Sequence, residues 1–339
     1  MTLRRGLTLL LCAVLGVTSL CACSSGPRQM QVWAYDTLCT ATVWGGTDAE
    51  SVFVSAAKEG ETLLSETGEK SYTASADGES ISVSDEMARI LRMAEFLHLA
   101  TDGVFDLSVA PLSALWDVGH ATKPPAEEAI LQALSLVDAK GLSLKENTLT
   151  FRSAGMGIDV GSVGKGYGAQ LTAEALARAG AEGGVISFGG NVALFGTKNG
   201  EPFRIGIRDP KGTAADYFGI LTATDVSVVT SGAYERYFES DGVRYHHLLD
   251  ANTGYPRVSD LLSVTVVCAD GAQADLTATA LWLLGGERGE ALFRTLSEHP
   301  SFEPFEVIFV YQDGTVFVSD GLLDRFQLTG GEYTLREAS

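Results

Sequence analysis

Gly161-Ser-Val-Gly-Lys-Gly-Tyr-Gly-Ala-Gln-Leu-Thr-Ala-Glu-Ala-Leu-Ala-Arg-Ala-Gly180 reads as a helix over Ser162–Ala179 whose first turn is a glycine-rich block. Two strands, Val185–Phe188 and Val192–Phe195, then flank Gly189-Gly190-Asn191. Outward from this stretch the same mixture persists. Toward the N-terminus the alternation of Gln31–Trp44 predicts one strand, Asp48–Glu66 a helix, and Asp85–Thr101 a helix with Met87, Ile90, Leu91, Ala94 and Leu97 on one face. Pro124 and Pro125 open another helix through Leu136, and Leu142–Leu144 with Thr148–Phe151 form a hairpin. Toward the C-terminus short strands are expected at Phe203–Ile207, Gly219–Ala223, Ser227–Val229 and Val243–Leu249. A continuous apolar run, Leu261–Cys268, predicts a buried strand. Helices at Ala272–Leu284 and Arg288–Leu296 follow, then a hairpin of Val307–Tyr311 and Thr315–Val318. Strands and helices mix without regular β-α alternation, so the expected class is α+β.

The chain has 339 residues, 45% of them hydrophobic, enough for a large core. Its formal charge of -19 excludes non-specific nucleic-acid binding, which needs clustered Lys and Arg. Arg4 and Arg5 precede an apolar stretch, Leu7–Leu20, that is short for a membrane span. Leu20-Cys-Ala-Cys23 resembles a bacterial lipobox. We expect residues 1–22 to be a lipoprotein signal peptide and Cys23 to be lipidated, with 23–30 as a tether; a plain secretory signal is the alternative. The protein then works outside the cytoplasmic membrane, held by its lipid. Cys39 and Cys268 fall in predicted strands and are expected to be buried as small apolar side chains.

Three sets of residues carry candidate chemistry. His246 and His247 are adjacent and run into the turn Asp250-Ala-Asn-Thr-Gly254, where a neutral-pH base can be staged. Surface histidines on an ordinary strand are the plain alternative. Asp275 and Thr279 are four apart on a helix, so their oxygens share a face and suit a hard cation; an acidic residue favoured by the helix dipole has the same spacing. Gly161-Ser-Val-Gly-Lys-Gly166 opens a helix, as phosphate sites do, yet matches neither a Walker A nor a dinucleotide spacing; a tight packing turn is the alternative.

Taken together, six blocks in order resemble the ApbE family of FAD:protein FMN transferases. They are Thr101-Asp-Gly-Val-Phe-Asp106 with Pro111-Leu112 and Leu115-Trp116, Asp159-Val-Gly-Ser-Val-Gly-Lys-Gly-Tyr167, Gly189-Gly190-Asn191, Ile205-Gly-Ile-Arg-Asp-Pro210, the Ser231–Pro256 segment, and Asp275-Leu-Thr-Ala-Thr279. The resemblance covers about Gln31 to Leu328. It implies a single catalytic unit over 31–335, with mixed, largely antiparallel sheets and flanking helices. It also implies magnesium on the Asp275 carboxylate, the Thr279 hydroxyl and an oxygen of Ser162, expected to be its carbonyl.

FAD enters as substrate. The resemblance implies contacts from Val104, Phe105 and Asp106, from Asp159 and Lys165, and from Leu248. Tyr35 stands where the family usually has a flavin-side Met and is expected to replace that FAD contact, and Ser71-Tyr-Thr-Ala-Ser-Ala-Asp77 departs from the family's Ser-Glu-Ile-x-x-Leu-Asn. His247 is the expected general base, with His246 as runner-up. Asp250 either orients that histidine or caps its turn, and Arg236 either contacts phosphate or pairs with Glu235 or Glu239. The implied reaction moves FMN to a Ser or Thr hydroxyl of an acceptor flavoprotein, releasing AMP. A magnesium-dependent FAD pyrophosphatase and a non-catalytic FAD-binding lipoprotein are the rival readings.

Overall fold

A computed structural model describes residues 26–64 and 71–336. The expected signal peptide and the lipidated Cys23 lie outside the described residues, and no described helix is long and apolar enough to cross a membrane. The class is α+β, as expected. A nine-stranded sheet runs Arg28–Ala34, Thr37–Gly45, Ala181–Phe188, Asn191–Gly196, Ser227–Gly232, Leu261–Cys268, Phe305–Tyr311, Thr315–Val318 and Thr334–Leu335, neighbours in space following chain order. Every pairing is antiparallel except the last.

Both faces of this sheet are covered, which explains the unbroken apolar run of Leu261–Cys268. Val264, Val266 and Cys268 join one cluster with the helix residues Leu276, Leu281 and Trp282, whereas Val267 joins Phe218 and Leu221 of a second, three-stranded sheet on the other face. That second sheet comprises Phe203–Arg208, Tyr217–Ala223 and Phe326–Leu328. The helices are α1 (Ala49–Leu64), α2 (Asp85–Ala100), α3 (Ala110–Trp116), α4 (Glu127–Leu134), α5 (Gly164–Arg178), α6 (Gly271–Leu284) and α7 (Gly286–Ser297). Helix α6 is buried along its whole length, as its Ala- and Leu-rich sequence requires. Cys39 and Cys268 are buried as expected, on strands with three others between them. At roughly 4.8 Å per strand they are far beyond disulfide reach.

Three expectations change. Gln31–Trp44 is a hairpin rather than one strand: Ala34 pairs with Thr37, and Tyr35 and Asp36 make the turn with φ of 53° and 51°. A two-residue turn of this kind usually advertises itself with Asn or Gly, and this one does not. The first strand begins at Arg28, inside the expected tether. Helix α3 was not expected: it is seven residues long, and its Pro111 sits in the first turn, where a missing N–H costs nothing.

Candidate active site

The N-termini of α5 and α6 meet backbone to backbone. A Cβ on Gly166 would lie 2.2 Å from the Gly271 carbonyl oxygen, and one on Gly271 would lie 2.3 Å from that of Gly166. Gly166 of the Gly-rich block therefore serves this crossing first. Close approach brings Asp275, on the second turn of α6, under the start of α5, where its Oδ2 accepts the Gly166 N–H at 2.8 Å. Gly166 is the third residue of α5, so its amide is one of the N-terminal donors without a partner inside the helix, and Asp275 satisfies it. Asp275 and Thr279 are 3% and 8% exposed, and Thr279 Oγ1 lies 3.2 Å from Ser231 Oγ. The chain thus gathers the carboxylate of Asp275, the hydroxyls of Thr279 and Ser231, and the turn holding Ser162. Among the described residues no three His, Cys, Asp or Glu side chains cluster as a metal site. An all-oxygen set with one carboxylate is the donor chemistry of a hard, partly hydrated cation instead.

His246 and His247 leave their strand (Val243–His246) in different environments. His246 is 8% exposed; its Nε2 faces the Arg257 carbonyl at 3.1 Å, and its Nδ1 accepts the Leu248 N–H at 3.3 Å. Both nitrogens are engaged, the ring stands edge-on to Trp282, and burial lowers its pKa to about 4. His247 instead places Nδ1 at 3.2 Å from the Arg236 carbonyl, an acceptor that fixes the proton on Nδ1 and leaves Nε2 as the basic nitrogen. Burial, then the Lys165 charge, brings its pKa down to about 3, so it is neutral at pH 7. That contrast separates the two adjacent histidines, which sequence alone could only rank.

The turn behind His247 is held by hydrogen bonds from its own residues and from Arg257. Asp250 Oδ1 accepts the Asn252 N–H and its Oδ2 pairs with Arg257 at 2.7 Å, so Asp250 holds the turn rather than the histidine. Trp116 of α3 donates its indole N–H to the Gly254 carbonyl and stacks on Tyr245. The Val104 carbonyl accepts the Ala251 N–H, joining the Thr101–Asp106 block to this turn. Phe105 and Leu248 are 2% and 5% exposed in the core. The Asp106 carboxylate is engaged internally, accepting from Ser108 and Ala139 amides and lying 3.2 Å from His98 Nδ1. Asp159 Oδ1 accepts the Gly161 N–H and shapes the entry to α5. The Tyr35 ring packs against Phe188, with its hydroxyl in the space left by Gly60 and Gly168.

The family model for the ApbE family matches residues 35–301, which hold all these elements. This chain belongs to the ApbE family. An FAD:protein FMN transferase of Treponema pallidum is 32% identical over 263 residues, spanning 73% of this chain and 71% of that protein. One from Klebsiella pneumoniae is 34% identical over 249 residues, spanning 73% and 75%. The solved flavin transferase ApbE of Vibrio cholerae superposes with a TM-score of 0.68 at 25% identity, covering 91% of this chain and 98% of that one. The ApbE protein of Thermotoga maritima gives 0.71 at 26% identity, covering 87% and 98%.

Two residues of the ApbE frame were not singled out from sequence. Glu235, between Tyr234 and Arg236, has its pKa raised by burial, with Lys165 acting the other way and Asp275 adding to the rise. Asn191 is 1% exposed, and neither its Nδ2 nor its Oδ1 has a hydrogen-bond partner among the described residues. Sequence offered Asn191 only as a motif member and Glu235 only as a possible partner of Arg236; burial is what distinguishes them.

Proposed function

We propose that this enzyme transfers the FMN part of FAD to a Ser or Thr hydroxyl of an acceptor flavoprotein, with release of AMP and with magnesium as its metal. One observation supports it above the others: His247 is a neutral imidazole with its proton held on Nδ1, electrostatically linked to Lys165, in the same region as the Asp275 oxygen set. Asp275, Thr279 and the Ser162 carbonyl fit magnesium by donor type, and the Gly166–Asp275 bond holds the carboxylate beside the turn that carries Ser162. A magnesium ion bound there would neutralise negative charge on the FAD pyrophosphate.

The chain's own residues do the rest. Lys165, in the first turn of α5, supplies a positive charge for phosphate, aided by the helix N-terminus. Asp159, Tyr35 and the Val104–Asp106 loop shape the FAD site, the last through its backbone, since its side chains are buried or engaged. Leu248 backs the nucleotide beside His247. His247 Nε2 takes the acceptor hydroxyl proton as the hydroxyl oxygen bonds to the FMN phosphorus. The phosphorus–oxygen bond to AMP breaks, and AMP leaves with that electron pair. We further propose a lipid anchor at Cys23 and an extracytoplasmic, membrane-attached location.

Intact mass of an acceptor flavoprotein incubated with the enzyme, FAD and magnesium tests the reaction. A gain of one FMN residue, lost with Asp275→Ala, is expected. AMP and FMN appearing without acceptor modification would instead establish pyrophosphate hydrolysis.

A further inference from the structure

We propose that Asn191 recognises FAD through its carboxamide, reading a hydrogen-bond donor and an acceptor that lie side by side on the nucleotide. The proposal rests on FAD being the substrate. Asn191 is 1% exposed with both amide atoms unpartnered, and a buried carboxamide left so is destabilising unless a ligand completes it. Its place in the sheet says where that ligand lies. Asn191 pairs across the hairpin with Phe188, and Ala193 follows two residues on, so all three share one sheet face. Phe188 and Ala193 pack with Ala169 and Ala173 of α5, so this is the face under α5, the helix that carries Lys165 in its first turn.

The turn just before it is open. A Cβ on Gly190, at φ of +99°, would find only Glu235 Oε1 within 4 Å, at 3.9 Å. Burial raises the Glu235 pKa, the Lys165 charge opposes the rise, and Asp275 adds to it. Asn191 is therefore buried directly behind a turn that faces Glu235, the carboxyl on which the phosphate-binding charge of Lys165 acts.

The chemistry selects the part of FAD. Phosphate oxygens only accept, so they would satisfy Nδ2 and leave Oδ1 unmet. A carboxamide unpartnered at both ends matches an adjacent N–H and acceptor, as on the imide edge of the isoalloxazine or the amidine edge of adenine. Asparagine reads adenine bidentately in this way elsewhere.

The test is ligand binding by the full chain, separate from transfer activity. FAD, FMN, AMP and inorganic pyrophosphate are titrated against wild type, Asn191→Leu and Asn191→Asp, with Tm measured for each. Both variants are expected to bind FAD roughly 10- to 100-fold more weakly. In Asn191→Leu, pyrophosphate affinity and Tm should both be unchanged. Loss for FMN but not AMP supports the isoalloxazine edge; loss for AMP but not FMN supports the adenine edge. FAD affinity within twofold of wild type in either folded variant overturns the proposal, as does an equal loss for pyrophosphate in Asn191→Leu. Wild type that binds none of the nucleotides would overturn the FAD reading itself.

Discussion

The Gly166 amide donates to the Asp275 carboxylate at 2.8 Å, across a sequence separation of 109 residues. This bond ties the glycine-rich block to the α6 acid and satisfies an amide that the first turn of α5 leaves without a partner in its own helix. Asp275→Ala should therefore abolish magnesium-dependent FMN transfer, while Asp275→Asn, which keeps an oxygen for Gly166, should hold its Tm and still lose roughly 10³-fold in rate. Transfer rates against magnesium concentration check it: near-wild-type activity in Asp275→Asn would remove the carboxylate from the reaction.

Gly166→Ala should be damaging although alanine is the better helix former. Its Cβ would meet the Gly271 oxygen at 2.2 Å and the Asp275 Cβ at 2.9 Å. Both neighbours are close to backbone and cannot turn aside, so about 1–3 kcal/mol of stability should be lost, together with transfer activity. Chemical denaturation measures the first; an unchanged midpoint would mean that α5 and α6 can move apart freely.

The adjacent histidines should separate in function. His247→Ala should abolish transfer yet bind FAD and keep its Tm. His246→Ala strands the Leu248 amide and the Arg257 carbonyl and should lose on the order of 1–3 kcal/mol. Paired FAD titrations and melting curves decide; full transfer by His247→Ala would end its assignment as base.

Two histidines should give opposite pH dependences of stability. Asp106 raises the His98 pKa, so the contribution of His98 is fully present below its unfolded value of 6.5 and fades as pH rises through the folded one. His246, depressed to about 4, contributes above 6.5 and loses that contribution as pH falls from there toward 4. The Tm advantage of wild type over His98→Gln should thus be larger at pH 5.5 than at pH 8.5, and the advantage over His246→Gln smaller. Equal gaps at both pH values would contradict these environments.

By itself the sequence determined the local elements and the inventory of chemistry. Helical spacing marked α2 and α5, the unbroken apolar run marked the central Leu261–Cys268 strand, and six ordered motifs marked the family. These signals are local: a period of side chains, or residue types at a short fixed spacing. It left the Tyr35-Asp36 turn unread because an I′-like turn without Asn or Gly looks like continued strand. Only the tertiary structure decided which histidine has a nitrogen to spare, since Arg236 and Arg257 supply the acceptors ten or more residues away. Only it showed that Gly166 is needed against Gly271, that the Asp106 carboxylate is already engaged, and that Asn191 is buried with its amide unmet. Burial and hydrogen-bond partners depend on segments distant in the chain, so no local pattern in the sequence encodes them in readable form.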